Sequence, residues 1–313
     1  MMKKKITIAT RGSMLALWQA NHIKDSIEEA HPGTAVELLK IKTTGDKILD
    51  VPLAMVGGKG LFVKEIEEAL IDGRADLAVH SLKDVPTELP EGLGLAAITE
   101  REDSRDALIS NGKKTLAELP EGAKIGSSSL RRQCQLLKVR PDLNIVSLRG
   151  NLDTRIKKVE AGEFDAIILA AAGMRRLGWE ERITECISPD ILLPAIAQGA
   201  LGIETRNDDG QTNEIISFLN HSETAAAVKA ERALLKRLEG GCQVPIAAYG
   251  ELEDEQLRLR GLVGSLDGKT LITDELRGRV AEPESLGIDL AENLLDRGAG
   301  EILEEIYKMD LGK

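Results

Sequence analysis

Short apolar runs alternate with longer amphipathic ones through the first two hundred residues, and the rhythm changes after residue 245. Lys5–Ala9 is a compact apolar run that predicts a strand, and Ala35–Ile41, Asp76–Val79 and Leu93–Ile98 repeat it. Ser13–Ala30 predicts a helix, with Leu15, Leu17, Trp18 and Ile23 among its apolar positions and Ser13 as the N-cap. Leu61–Ile71 predicts another. The alternation restarts at Ala123, with strands over Lys124–Gly126, Asn144–Leu148 and Ala166–Ala170 and a helix opening at Ser127-Ser128-Ser129. Strands alternating with helices predict α/β lobes with parallel sheets that offer ligand sites at the strand carboxyl ends. Two such blocks in tandem predict two lobes with a cleft between them.

The charged run Glu100–Asp106 is the hinge candidate between the lobes, and Ala197–Glu204 predicts a strand returning to the first. Thr224–Leu238 predicts a long helix. Beyond Ile246, alternating Leu257, Leu259 and Leu262 precede a helix near Ile288–Leu295, the pattern of a small α+β C-terminal domain. The expected division is 1–99 with 200–218, then 100–199, then 219–313.

Charge sharpens this outline. The chain of 313 residues carries a net −11, which argues against a nucleic-acid partner, and aromatics at 2% leave no stacking platform for single strands. Lys124–Arg182 nevertheless holds 12 Lys and Arg against 7 Asp and Glu, while the remainder holds 29 against 45. A basic island in an acidic chain is the footprint of an anionic ligand. The apolar stretch after Met1-Met2-Lys3-Lys4-Lys5 breaks at Thr10-Arg11-Gly12, too short for a signal segment or membrane span. Three scattered cysteines fit a reducing compartment, so a cytoplasmic protein is expected.

Some motifs fail on spacing. Gly57-Gly58-Lys59-Gly60 lacks the length and hydroxyl residue of a phosphate-binding loop, and Gly92–Ala97 precedes a charged break where a dinucleotide motif would open a helix. The four histidines show no ligand spacing, so no metal is expected. Three constellations remain. Lys83-Asp84 follows the strand Asp76–Val79, where a lysine can bind an anion and an aspartate can stabilise a cation or move protons. Gly126-Ser127-Ser128-Ser129-Leu130-Arg131-Arg132 combines hydroxyls, free N–H groups at a helix start and two guanidiniums. Two arginines in a first helical turn oppose the helix dipole unless an anion compensates them. Arg149-Gly150-Asn151-Leu152-Asp153-Thr154-Arg155 and Arg175-Arg176 follow further strands of the same lobe. So many arginines at neighbouring strand ends suit a polycarboxylate better than a single phosphate. Finally, Glu239-Gly240-Gly241-Cys242-Gln243-Val244-Pro245 reads either as a loop presenting a thiol or as one more buried cysteine.

Together these segments, with Ala9-Thr10-Arg11-Gly12-Ser13, Gly57–Phe62, His80–Pro86 and Ser147–Asn151, resemble the porphobilinogen deaminase family over nearly the whole length and in the family's order. Small departures are Gly12, Met14, Ser127 where threonine is usual, and Asp153 where glycine is common. The resemblance implies two α/β lobes similar to periplasmic-type binding proteins, with mixed, mainly parallel sheets, plus a small α+β third domain, and a monomer. It implies a dipyrromethane cofactor on the sulfur of Cys242, on which four porphobilinogen units are joined with loss of ammonia before hydroxymethylbilane is released by hydrolysis. By the same resemblance Asp84 is catalytic and stabilises a cationic azafulvene. Cofactor contacts fall to Lys83, Asp84, Ser127, Ser128, Ser129, Arg131, Arg132, Arg149 and Gly150, Asp84 facing the pyrrole N–H groups and the others the carboxylates. Substrate contacts fall to Arg11, Ser13, Lys59, Phe62, Arg149, Arg155, Ala170, Arg176 and Gln198. Two other classes explain part of the pattern: a non-catalytic two-lobed anion-binding or sensor module, and a lysine Schiff-base enzyme, which would leave Cys242 idle.

Overall fold

The computed structural model describes residues 3–47, 62–239 and 244–311, which form two compact units. Elements are numbered along the chain. The first unit comprises residues 3–47, 62–102 and 199–225. Its sheet runs β2 (Ala35–Ile41), β1 (Lys5–Arg11), β3 (Leu77–Ser81), β10 (Leu201–Arg206), β4 (Leu93–Ile98). Ile6 and Ile8 of β1, Leu77 and Val79 of β3 and Ile203 of β10 pack with Ala20, Ile23 and Ile27 of α1 (Met14–Ala30) in one core. Ser13 caps α1, its Oγ accepting from the Ala16 N–H at 3.3 Å. The other face is covered by α3 (Lys64–Ile71), which buries Ile66, Ala69 and Leu70 against Ala9 and Ala78. A short turn of helix, α2 (Thr44–Lys47), precedes it, and α7 (Gly210–Ile216) follows β10.

The second unit comprises residues 103–198, 226–239 and 244–311. Its larger sheet runs β7 (Asn144–Val146), β6 (Lys124–Gly126), β8 (Ala166–Ala170), β5 (Asp106–Ser110), β9 (Glu185–Ile187). Helices α4 (Leu130–Val139), α5 (Leu152–Glu160) and α6 (Ala171–Arg176) follow β6, β7 and β8 in turn. The long helix α8 (Ser222–Arg237) leads to an antiparallel meander of β11 (Ile246–Glu253), β12 (Gln256–Gly264) and β13 (Leu271–Arg279). Helices α9 (Pro283–Asp296) and α10 (Ala299–Leu311) complete it. Cys134 of α4 packs with Ala247 and Leu262 of this meander, which ties the two parts of the unit through one core.

The strands over Ala35–Ile41, Leu93–Ile98, Lys124–Gly126 and Ala166–Ala170 have the bounds expected from sequence. Several elements go beyond those read from sequence, among them strands β5 and β9 and helices α5, α7 and α10. Each five-stranded sheet pairs in parallel on one side and antiparallel on the other, because β10 runs against β3 and β4, and β5 against β8 and β9. Alternation of strand and helix predicts the parallel halves only. In the first sheet the antiparallel strand β10 enters only after the whole second sheet has been laid down, and in the second sheet β5 comes ahead of the alternating β6, β7 and β8.

Candidate active site

The parallel strands β6, β7 and β8 end along one edge of the second unit's sheet, and the residues singled out from sequence follow those ends. Ser128 joins two of them. Its Oγ lies 2.9 Å from Ser147 Oγ, donates to Leu148 O at 2.8 Å and accepts from Leu148 N at 3.1 Å. Ser127 Oγ accepts from Ser129 N, and Ser129 caps α4 by accepting from Arg132 N at 3.4 Å. Gly150 has φ +115°, and a β-carbon there would press on Thr154 within 3.1 Å. Glycine therefore sets the turn that places Arg149 and lets Arg155 Nε donate back to Gly150 O at 2.7 Å. Burial pushes the Arg149 guanidinium below its usual pKa, a cost that an incoming carboxylate would offset. Arg176 lies at the end of α6, one short helix beyond Ala170.

The decisive residue at this edge is one the sequence reading did not assign. Asp106 opens β5 opposite Ala170 and is fully buried. Its Oδ2 accepts from Arg131 Nη1 at 2.7 Å; its Oδ1 accepts from Arg132 Nη2 at 2.6 Å and Nε at 3.0 Å. Gln198 Nε2 adds a bond to Oδ1 at 3.1 Å. Burial works against the Asp106 charge, but the two guanidiniums outweigh it and hold the carboxyl well below the usual range. The anion that lets two arginines occupy the first turn of α4 is thus supplied by the chain itself. It balances only one of two positive charges, so the cluster keeps a net positive charge beside a helix N-terminus. The signal was a lone aspartate at the head of the apolar run Ala107–Ile109, hidden by the charged residues before it.

In the first unit, Arg11 ends β1. Its Nε donates to Asp46 at 3.1 Å, a second guanidinium nitrogen reaches the same carboxylate, and its Cζ lies 4.3 Å from the centroid of Phe62. A β-carbon at Gly45 would collide with that ring. Burial opposes the Asp46 charge, but Arg11 and Thr43 hold its pKa down. At the end of the neighbouring strand β3, a single 3-10 turn, Leu82–Asp84, presents half-buried Lys83 and exposed Asp84. Lys59 and Cys242 lie outside the described residues. The residues flanking Cys242 are anchored: Tyr307 donates to Glu239 O at 2.9 Å, and Gly264 N donates to Pro245 O at 3.0 Å.

Behind the Lys83–Asp84 turn, His80 Nε2 lies 2.9 Å from Glu204 Oε2, both buried. Neighbouring Glu67 is pushed up to about 7 by burial first and by the Glu204 charge second, with His80 opposing. The folded state therefore holds the Glu67 proton more tightly than the unfolded chain does. Stability should fall as pH rises from the ordinary glutamate value through about 7. The loss is about 3 kcal/mol at most, at 1.36 kcal/mol per pKa unit. Glu67→Gln should remove that slope. Urea midpoints at pH 5 and pH 8 check it, and equal pH slopes for the two proteins would exclude this origin.

Residues 6–214 match the family model for "Porphobilinogen deaminase, dipyromethane cofactor binding domain", and residues 225–296 match "Porphobilinogen deaminase, C-terminal domain". A porphobilinogen deaminase of Geotalea uraniireducens is 60% identical over 310 residues, covering 99% of this chain and 97% of the relative. One of Geobacter sulfurreducens is 60% identical over 309 residues with the same coverages. Among solved structures, the periplasmic VFT2 domain of Bordetella pertussis BvgS aligns at 13% identity over 68% of this chain and 86% of that one, TM-score 0.41. The two family models together take in most of the chain, and these relatives are alike over essentially its whole length, so the chain belongs to the porphobilinogen deaminase family.

Proposed function

We propose that the chain joins four porphobilinogen molecules head to tail on a dipyrromethane primer held through the sulfur of Cys242, losing ammonia at each condensation and releasing hydroxymethylbilane by hydrolysis. It is a transferase of tetrapyrrole biosynthesis. The observation that carries this reading is the excess of guanidinium over carboxylate at Asp106, Arg131 and Arg132, set at a helix N-terminus beside Ser127–Ser129. Porphobilinogen bears an acetate and a propionate, so every unit added brings negative charge to be held.

The donor set fits the primer: hydroxyls and guanidiniums along one sheet edge are what pyrrole carboxylates require. When bound, the primer supplies pyrrole rings with a nucleophilic terminal carbon. Ser127, Ser128, Ser129, Arg131, Arg132, Arg149 and the backbone at Gly150 hold its carboxylates, with Lys83. Arg11, Ser13, Lys59, Phe62, Arg155, Ala170, Arg176 and Gln198 receive the incoming porphobilinogen. Loss of ammonia from porphobilinogen leaves a cation, which the Asp84 carboxylate stabilises while accepting pyrrole N–H hydrogen bonds. In this reading 219–313 is the cysteine-bearing domain, 1–99 with 200–218 and 100–199 are the two lobes, and the protein is a cytoplasmic monomer. Among the described residues, no helix is long and apolar enough to cross a membrane. A non-catalytic sensor finds no counterpart among the relatives above, which carry an enzyme's name.

The other two cysteines are poor nucleophiles: burial pushes Cys134 up to about 12 and also raises Cys186. Denatured intact-mass spectrometry should therefore find the protein heavier than its sequence by a two-pyrrole adduct, mapped to Cys242 alone. Added porphobilinogen should build further species spaced by one pyrrole unit. A fully active preparation with the unmodified sequence mass would overturn the reading.

A further inference from the structure

Glu231 is a buried carboxylate that the roles above leave unused. It sits on α8, fully buried, and its two oxygens reach backbone groups far apart in the chain. Oε2 accepts from Ala197 N at 2.6 Å, and Oε1 accepts from Gly250 N of β11 at 2.8 Å. Ala197 is itself buried and has φ +58°, a left-handed conformation that a β-carbon disfavours. Such a conformation persists only where the surroundings hold it. The next residue is Gln198, whose Nε2 donates to Ser104 O at 2.7 Å and to Asp106 Oδ1 at 3.1 Å. Asp106 in turn holds both guanidiniums of α4. A continuous chain of contacts therefore runs from the Glu231 carboxylate through the Ala197 backbone and the Gln198 amide to Asp106, Arg131 and Arg132. The helix that carries Glu231 ends at Arg237, a few residues before Cys242.

We propose that Glu231 is a positioning residue for the arginine pair. Its Oε2 fixes the left-handed turn at Ala197, the turn delivers the Gln198 amide to Asp106, and the oriented Asp106 carboxylate leaves both guanidiniums aimed at an incoming pyrrole carboxylate. One helix then leads to the attachment cysteine and also registers the groups that bind what is attached. This rests on the function proposed above.

The test uses full-length apoprotein given porphobilinogen, with the two-pyrrole mass increment followed in time. Glutamine keeps the length of Glu231 but turns an NH2 toward one of the two N–H groups, so one bond is lost. Glu231→Gln should load about tenfold more slowly, the scale of one hydrogen bond to a charged group. Glycine adopts positive φ freely, so adding Ala197→Gly to Glu231→Gln should recover most of the loading rate, while Ala197→Gly alone loads as wild type. Assays are run well below the lowest melting temperature of the set, where a variant that had lost only packing would load normally. Loading of Glu231→Gln at the wild-type rate would overturn the proposal, and so would slow loading that Ala197→Gly does not rescue. Should Glu231→Gln not yield folded protein, Glu231→Asp keeps the charge, shortens the reach by one methylene and carries the same two expectations. Wild-type apoprotein that gains no adduct would instead sink the proposed function.

Discussion

Asp106→Asn is expected to give a protein destabilised by about 3–5 kcal/mol, the cost of stranding buried charge, and unable to acquire the two-pyrrole adduct. Asparagine has nearly the same shape, so packing around β5 is preserved. What changes is charge: Asp106 is fully buried, Arg131 and Arg132 are 4% and 7% exposed, and the one carboxylate between the two guanidiniums would be gone. Each arginine also donates to a carbonyl, Arg131 to Leu193 O and Arg132 to Ile168 O, so both stay tethered inside while repelling each other. The asparagine NH2 would also meet the N–H groups that Asp106 now accepts. The wild-type carboxyl is held below its unfolded value, so its contribution is present above the ordinary aspartate range and is lost as pH falls toward the depressed value. The variant should lack that acid limb. Urea unfolding from pH 3 to pH 7, with intact mass on the same samples, reads both effects. A variant as stable as wild type and fully loaded would show that the arginines need no internal counter-charge.

Asp106 also marks where sequence reading stops. Helix α1 and its Ser13 cap were legible because cap, apolar period and length agree within one short window. The Ser127–Arg132 motif was legible because residue type and a helix start together define an anion site. The meaning of Asp106 lies in partners 25 and 26 positions away, and that of Glu231 in a bond 34 positions away. Neither distance leaves a local trace. The short strand β9 has no alternating pattern of its own and is held through its pairing with β5. Helix α10 was legible and passed over: Leu303 and Ile306 are spaced for one apolar face beyond the turn at Gly298. Asp84 was placed at a strand end from pattern alone, and it follows β3 there.

Asp84→Asn should leave the fold intact and remove turnover by roughly 10²–10⁴-fold, the range for a positioned charged or proton-moving group. Structure and activity separate cleanly at this position. Asp84 is exposed, at the end of a 3-10 turn whose closing bond runs between backbone atoms, Val85 N to Leu82 O at 3.2 Å. An exposed side chain away from core and caps changes stability by about 0.5 kcal/mol or less. The turn itself is fixed from behind by Leu82, buried in the first unit, and by Leu82 N donating to Ala200 O at 3.1 Å. Asparagine therefore occupies the same place with the same reach and lacks only the negative charge. If that charge stabilises the cation left when ammonia departs, Asp84→Asn should still carry its primer, still bind porphobilinogen, and stall at condensation. Asp84→Glu, which keeps the charge on a longer arm, should recover part of the rate. Steady-state product formation together with intact mass distinguishes these steps. Activity of Asp84→Asn within tenfold of wild type would remove the carboxylate from the chemistry and leave Lys83 as the only ionisable group that the turn at the end of β3 contributes.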